Sequence, residues 1–378
     1  MIYLDHAATS HPKPPEVIEA MVAFLRDVGV GPGRAGHRLA AEAARRVFEA
    51  REAVAAVLGV SDSRRVVFTA NATAALNVAL QGLLGQGDHV VSTALEHNSV
   101  ARPLSRLKAT RGVTETVVSP EPDGTLDPDR VRAAITSRTR LVVVTHASNV
   151  TGALQPVAAI KQAIGELPLL VDAAQTAGAV PLALEADGLD LVAFSGHKAL
   201  LGPQGVGGLA LGPGVTLPPL ITGGTGSRSE LEEQPAFLPD ALEAGTPNTP
   251  GIVGLGAGAA WLLGHGIQAL RQAEVGRFQA FLDRLAAIPG VRLYGPPRAD
   301  RRVATVSVSV AGRDPGEVAA LLDRRFGVLV RTGLHCAPRA HRWQGTSPQG
   351  TVRLSAGFAT TADELETAAA ALAELARP

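Results

Sequence analysis

Apolar residues in this chain fall into two textures. Between residues 65 and 211, short continuous runs rich in β-branched residues alternate with amphipathic stretches. The runs at 65–69, 88–92, 114–119, 140–145, 167–172, 189–195 and 205–211 read as strands, and the stretches at 72–84, 98–110, 127–135 and 157–164 read as helices. Continuous runs of this kind suit a mostly parallel sheet covered on both faces, so one large α/β layer with a seven-stranded sheet is predicted. After residue 250 the texture changes. Residues 251–263 and 267–288 read as helices, while 291–294, 304–310, 328–332 and 351–355 alternate in the manner of an antiparallel sheet. Thr361-Ala-Asp-Glu364 is a capping-box signature opening a last helix. Residues 337–350, with Pro338, Gly345, Pro348 and Gly350, read as a loop. The expected division is a large α/β domain over 15–250 and a smaller α+β domain over 251–378, with residues 1–14 packed against the latter.

Composition narrows this picture. A length of 378 residues exceeds one ordinary core, which agrees with two domains. Hydrophobic residues make up 46% and charged ones 19%, a globular balance. Formal net charge is zero, so no strong field favours nucleic acid or an anionic membrane, and no uninterrupted apolar segment has spanning length. Met1-Ile-Tyr-Leu-Asp-His6 lacks a basic region followed by an apolar core, so no signal peptide is expected and the expected location is cytoplasmic. The single cysteine, Cys336, allows neither an intrachain disulfide nor a cysteine-only metal cluster. Gly31-Pro-Gly33-Arg-Ala-Gly36 satisfies a G-x-G-x-x-G pattern, yet no strand precedes it and a proline sits inside the proposed turn. It reads as a mobile loop and not as a dinucleotide fingerprint.

The chemistry starts at Lys198, which ends the apolar run 189–193 through Phe194-Ser195-Gly196-His197. An ammonium at such a place is costly and tends to shed its proton, and a lysine with a depressed pKa is a good nucleophile for a carbonyl. The other three lysines, Lys13, Lys108 and Lys161, read as surface charges. Upstream, the run 167–171 delivers Asp172 and then Gln175 at the end of a neighbouring strand. An acid facing a lysine across strand ends suits pyridoxal 5′-phosphate: the carboxylate keeps the pyridine nitrogen protonated, the lysine holds the aldehyde carbon, and Gln175 could donate to the ring hydroxyl. In such sheets the ligand lies beyond the carboxyl ends of the strands. The strand at 65–69 runs through Ala70-Asn71 into a helix starting at Ala72 and Thr73, which offers an anion cup, with Ser195 and His197 as further donors. His97 lies just past the second strand, where an imidazole could stack on the ring and move protons. Asn149 follows the fourth strand, within reach of ring or substrate.

These residues resemble a known family. Asp172-x-x-Gln175, Ser195-Gly-His-Lys198, Glu243-Ala-Gly-Thr246-Pro-Asn248 and Tyr3-Leu-Asp-His-Ala-Ala-Thr9 look like the class V aminotransferases of fold-type I pyridoxal-phosphate enzymes, and Arg331-Thr-Gly-Leu-His-Cys336-Ala337 resembles the cysteine motif of group II cysteine desulfurases and selenocysteine lyases. The resemblance implies that Lys198 links covalently to the cofactor and that Asp172 pairs with the ring nitrogen. It implies that Gln175 contacts the ring hydroxyl, that His97 stacks on the ring, and that the phosphate lies among Ala72, Thr73, Ser195 and His197. Thr246 is expected to reach the phosphate of a partner subunit, which implies a homodimer. Arg353 is expected to bind the substrate α-carboxylate, bidentate geometry being the reason for an arginine there. Cys336 is expected to take sulfur from L-cysteine, or selenium from L-selenocysteine, and to pass it to an external acceptor such as a protein by swinging on a loop. The alternatives are transamination or another lyase reaction in which Cys336 plays no chemical part, or a non-catalytic cofactor-binding or sulfur-relay protein.

Overall fold

The computed structural model describes residues 1–33 and 36–377. In chain order its elements are β1 (Ile2–Tyr3), α1 (Pro15–Asp27), α2 (Arg38–Leu58), β2 (Val66–Thr69), α3 (Ala72–Leu83), β3 (His89–Thr93), α4 (Asn98–Arg111), β4 (Thr114–Val118), α5 (Pro128–Ala133), β5 (Thr139–Thr145), α6 (Val157–Ile164), β6 (Leu169–Asp172), β7 (Leu191–Ser195) and β8 (Gly207–Leu211). There follow α7 (Thr249–His265), α8 (Ile267–Ala286), β9 (Val291–Tyr294), β10 (Thr305–Val310), α9 (Pro315–Phe326), β11 (Val328–Leu329), β12 (Arg331–Gly333), α10 (Pro338–Trp343), β13 (Thr351–Ser355) and α11 (Ala362–Leu375).

The seven predicted strands form one sheet in the order β2-β8-β7-β6-β5-β3-β4. Strands β7, β6, β5, β3 and β4 run parallel, and β8 is antiparallel to both its neighbours. The valine and leucine runs of β5, β6 and β7 are buried along their whole length because helices cover both faces. All strand carboxyl ends except that of β8 point to one edge, which gathers Thr69, Thr93, Thr145, Asp172 and Ser195. A Cβ on Gly207 would meet the Asn71 Cα at 2.8 Å and the Phe194 carbonyl oxygen at 2.6 Å. Glycine at that point lets the start of α3 lie directly against β7 and β8.

The second sheet has the order β12-β13-β10-β9, all antiparallel, over a core of Phe278, Leu282, Val306, Val308, Leu354 and Leu372. The capping box at Thr361 and Glu364 forms as expected. The expected strand 328–332 is divided. Val328–Leu329 pairs in parallel with β1, and only Arg331–Gly333 joins the antiparallel sheet. An alternating segment satisfies either partner, so its pattern could not reveal the switch. The expected loop at 337–350 contains α10, which Pro338 opens at a position where a missing N–H costs nothing. Helices α1, α2 and α9 have no counterpart in the sequence reading. Gly31–Gly33 and Gly36 lie between α1 and α2 with no strand before them, and Arg34 and Ala35 of the expected loop fall outside the described residues. Among the described residues no single helix is long and apolar enough to cross a membrane.

Candidate active site

The site grows from the shared edge of the large sheet. β6 ends on Asp172, and β7 ends on Ser195, three residues before Lys198. Asp172 is buried, and its Oδ1 accepts from the Ala174 N–H at 3.0 Å. Burial pushes its carboxyl above the usual range, with Ala174 and the nearby Lys198 ammonium pulling back. Lys198 is affected in the opposite sense. Burial pulls its amine down to about 8 against the attraction of Asp172, and the cations of Arg353 and Arg331 add to the fall. A lowered amine pKa does not single this lysine out, because burial also brings Lys13 to about 8. Lys13 is therefore not the surface charge expected from sequence: its Nζ donates to the Ser10 hydroxyl at 2.6 Å and to the His197 carbonyl at 2.9 Å. What distinguishes Lys198 is the facing carboxylate of Asp172.

The N-terminal segment closes over this edge. The Ser10 N–H and the Thr9 hydroxyl donate to the His197 carbonyl, each at 3.0 Å, and the Gln175 amide donates to the Ala7 carbonyl at 3.0 Å. Gln175 and Lys198 line one cavity of about 130 Å³ with His6, Ala7, Ser10 and Phe358. At the start of α3, the Ala72 N–H donates to Ser195 Oγ at 3.4 Å, while the Asn71 side chain caps Ala74. Among the described residues, buried His197 Nδ1 has no hydrogen-bond partner. Thr246 does not join this cup. It lines a separate cavity of about 320 Å³ with Ala70, Ala74, Gly205, Leu220 and Ile221, on the flank of α3.

The remaining residues come from β3 and from the second sheet. His97 caps α4, its Nδ1 accepting from the Ser99 N–H at 3.0 Å. Burial first, then the charges of Lys198, Arg331, Arg102 and Arg353, lower it to about 4. Arg353 on β13 is almost wholly buried. It pairs with Asp5 at 2.6 Å and donates to the Asn149 carbonyl at 3.0 Å, leaving Nε without a partner among the described residues. Cys336 is exposed on a turn in which it and His335 both adopt left-handed backbone conformations, φ 55 and 47. Each such residue costs roughly 1–3 kcal/mol and persists only where its surroundings hold it. Here the Asn98 N–H donates to the Cys336 carbonyl at 2.8 Å, and the Asn149 amide donates to the His335 carbonyl at 2.6 Å. Arg339 on α10 clamps the same segment to Glu115 of β4 at 2.6 Å. The cysteine is thus fastened to the large sheet and does not hang on a free loop.

The structure therefore brings Lys198, Asp172, His97, Arg353, Asn149 and Cys336 to one place. The sequence reading missed four neighbours. Asp5 pairs with Arg353, and Ser99 holds His97. Arg331 acts on the charges of Lys198 and His97 and makes no side-chain hydrogen bond or ion pair among the described residues. Glu96 is fully buried beside Asp172, raised by burial to about 8, with its Oε2 unpartnered among the described residues. Arg331 and Asp5 stood inside motifs already quoted; Ser99 and Glu96 flank His97 and carried no signal of their own.

The family model described as aminotransferase class-V matches residues 2–367. A protein from Methanothermobacter thermautotrophicus named as a probable cysteine desulfurase is 36% identical, with 99% of this chain and 94% of that protein covered. Among solved structures, the apo cysteine desulfurase of Thermococcus onnurineus NA1 superposes with a TM-score of 0.91 at 32% identity, covering 99% of this chain and 94% of that one. The cysteine desulfurase CsdA of Escherichia coli superposes with a TM-score of 0.86 at 28% identity, covering 99% and 94%.

Proposed function

This chain belongs to the class-V aminotransferase family, and we propose that it is a pyridoxal-phosphate-dependent cysteine desulfurase that converts L-cysteine to L-alanine and keeps the sulfur as a persulfide on Cys336. The residues suit that cofactor. The start of α3 with Thr73 and Ser195 offers donors to a phosphate, and His197 Nδ1 is buried without a partner. Asp172 is a buried carboxyl that lacks a full cationic partner, and a protonated ring nitrogen would supply one. When bound, the cofactor supplies an electron sink for bonds at the substrate Cα.

The side chains then divide the work. Lys198, with its amine near 8, is partly neutral near pH 7, so it can bond the cofactor aldehyde and later carry a proton. Asp172 would hold the ring nitrogen protonated, and the Gln175 amide, which donates to the Ala7 carbonyl, would be the group to meet the ring hydroxyl. His97 would stack against the ring and stays neutral, because burial first and then four nearby cations lower it to about 4. Arg353 orients the substrate α-carboxylate through its free Nε, with Arg331 adding a second positive charge. Asn149 spans the two halves of the site, its amide on the cysteine turn and its carbonyl on Arg353. Cys336 attacks the substrate sulfur: the Cβ–S bond breaks and an S–S bond forms, so L-cysteine and an enzyme thiol become L-alanine and an enzyme persulfide.

The observation that carries this reading is the fastening of Cys336 to the first turn of α4, next to His97 and within the electric field of Lys198. A reaction that did not use the thiol would have no need of two consecutive strained residues there. Replacing Cys336 with Ser is expected to abolish alanine formation from L-cysteine while the absorbance of the bound cofactor survives. Full alanine formation in that variant would overturn the assignment. L-Selenocysteine, assayed in parallel, ranks the two substrates, since the same thiol can take selenium. The proposal extends to a homodimer: the cavity holding Thr246 opens beside exposed Leu220 and Ile221, which a second copy would cover while receiving Thr246 near its own phosphate. An active monomer in light scattering would contradict this.

A further inference from the structure

A chain of hydrogen bonds joins the anion cup to His97. Thr73 Oγ1 lies 2.7 Å from Ser99 Oγ, and Ser99 Oγ lies 2.8 Å from His97 Nδ1. The direction of these bonds can be worked out. The Ser99 backbone N–H, which can only donate, points at Nδ1 from 3.0 Å. Nδ1 is therefore an acceptor, and the proton of the neutral imidazole sits on Nε2. The Ser99 hydroxyl must then donate to Nδ1, since two lone pairs at that distance would repel. That leaves Ser99 Oγ to accept, and Thr73 Oγ1–H to donate to it.

A phosphate dianion offers only acceptors. Placed at the start of α3, it competes for the Thr73 proton. Once Thr73 turns to the phosphate, its oxygen presents a lone pair to Ser99, and the Ser99 hydroxyl can turn away from His97. Nδ1 then keeps only the backbone donor and becomes the better base. The charged groups facing His97, Lys198 and Arg331 with Arg102 and Arg353, are all cations and oppose its protonation. A dianion in the cup offsets them in the same direction as the loss of the hydroxyl bond.

We propose that Ser99 is a positioning residue that reports occupancy of the phosphate cup to His97, its hydroxyl bonding Nδ1 when the cup is empty and leaving Nδ1 to the backbone donor when the cup is filled. The inference rests on the reading that this cup takes a phosphoryl group, but its test needs no turnover. Apoprotein labelled with ¹⁵N-histidine, with the His97 signals assigned from a His97→Gln variant, is titrated with inorganic phosphate, and binding is followed separately by ³¹P line broadening. In the wild type Nδ1 is expected to show the shift of an unprotonated acceptor and Nε2 that of a protonated nitrogen, and phosphate is expected to move Nδ1. That movement should shrink to the part caused by the phosphate charge alone in Ser99→Ala and in Thr73→Val, and be restored in Ser99→Thr, which keeps the hydroxyl. A proton found on Nδ1 in the wild type, or an equal phosphate response in Ser99→Ala, would overturn the relay. So would a wild type that binds no phosphate, since the relay would then have no input. Alanine formation from L-cysteine is scored independently, so the relay can fail while the desulfurase reading stands, and the reverse.

Discussion

The two reactive groups of this site are held in different ways. Asp172 ends β6, and Lys198 follows the end of the parallel neighbour β7 by three residues, so the buried sheet brings the two near each other. Cys336 sits on a strained turn beyond β12, and its position depends on bonds that cross from one sheet to the other: Asn98 to its carbonyl, Asn149 to His335, and Arg339 to Glu115. The amine is placed by the core, and the thiol by a few polar clamps. A group placed by packing is hard to move without unfolding the sheet. A group placed by clamps can be shifted one bond at a time, which suits a sulfur that must be received in the site and surrendered outside it.

The sharpest way to break the comparison is at the amine. Lys198→Ala is expected to abolish both borohydride-trapped cofactor label and alanine formation, while Lys13→Ala, although its amine is also lowered to about 8, keeps the label at Lys198. A label that moves to Lys13 or persists without Lys198 would contradict the assignment. A smaller and more selective effect is expected at the clamp. Glu115 is nearly fully buried, and Arg339→Ala leaves it with only Lys108 as a charged partner. Removing one member of a buried pair costs about 3 kcal/mol. Chemical denaturation should show that loss, and the alanine rate should fall, while borohydride trapping at Lys198 is unchanged; a parallel fall in trapping would mean that the two halves are not held independently.

The smallest effect expected is a pH dependence. Burial lowers His6, His97, His146, His197 and His341 from 6.5 to about 4, and His335 to about 2. Below pH 6.5 the unfolded chain therefore binds protons that the folded chain refuses, so their contribution is intact above 6.5 and is lost progressively as pH falls toward 4. Glu96, raised to about 8, has the opposite sign: its contribution grows as pH falls from 8 toward 4.5, offsetting part of the loss. Urea denaturation between pH 7 and pH 4 should show a net decline carried by the six histidines. A flat profile would mean that these imidazoles are not buried as neutral groups.

The same contrast explains what could be read from sequence. The seven strands were legible because a parallel sheet buried on both faces writes continuous apolar runs, and Lys198 and Asp172 were legible because each interrupts such a run at its carboxyl end. Cys336 was legible as chemistry only through its motif; its left-handed backbone and cross-sheet bonds depend on residues far away in sequence. Helix α9 is signalled by Asp314-Pro315 at its start and Gly327 just past its end. Helix α2 carries an apolar face through Ala43, Val47, Ala50, Val54 and Leu58 opposite its charges, a helical period that its sequence does show, and that face packs against α7. The switch of residues 328–333 between two sheets leaves no trace in an alternating pattern. Ser99 was invisible because a serine near a helix start reads as an ordinary helix-start residue.

The central claim is that the sulfur of L-cysteine passes to this one thiol. The direct test incubates the cofactor-loaded protein with ³⁴S-labelled L-cysteine, alkylates it, and maps the peptides by mass. The account predicts a labelled persulfide on Cys336, appearing together with L-alanine. Alanine released with sulfide free in solution and Cys336 unmodified would contradict it.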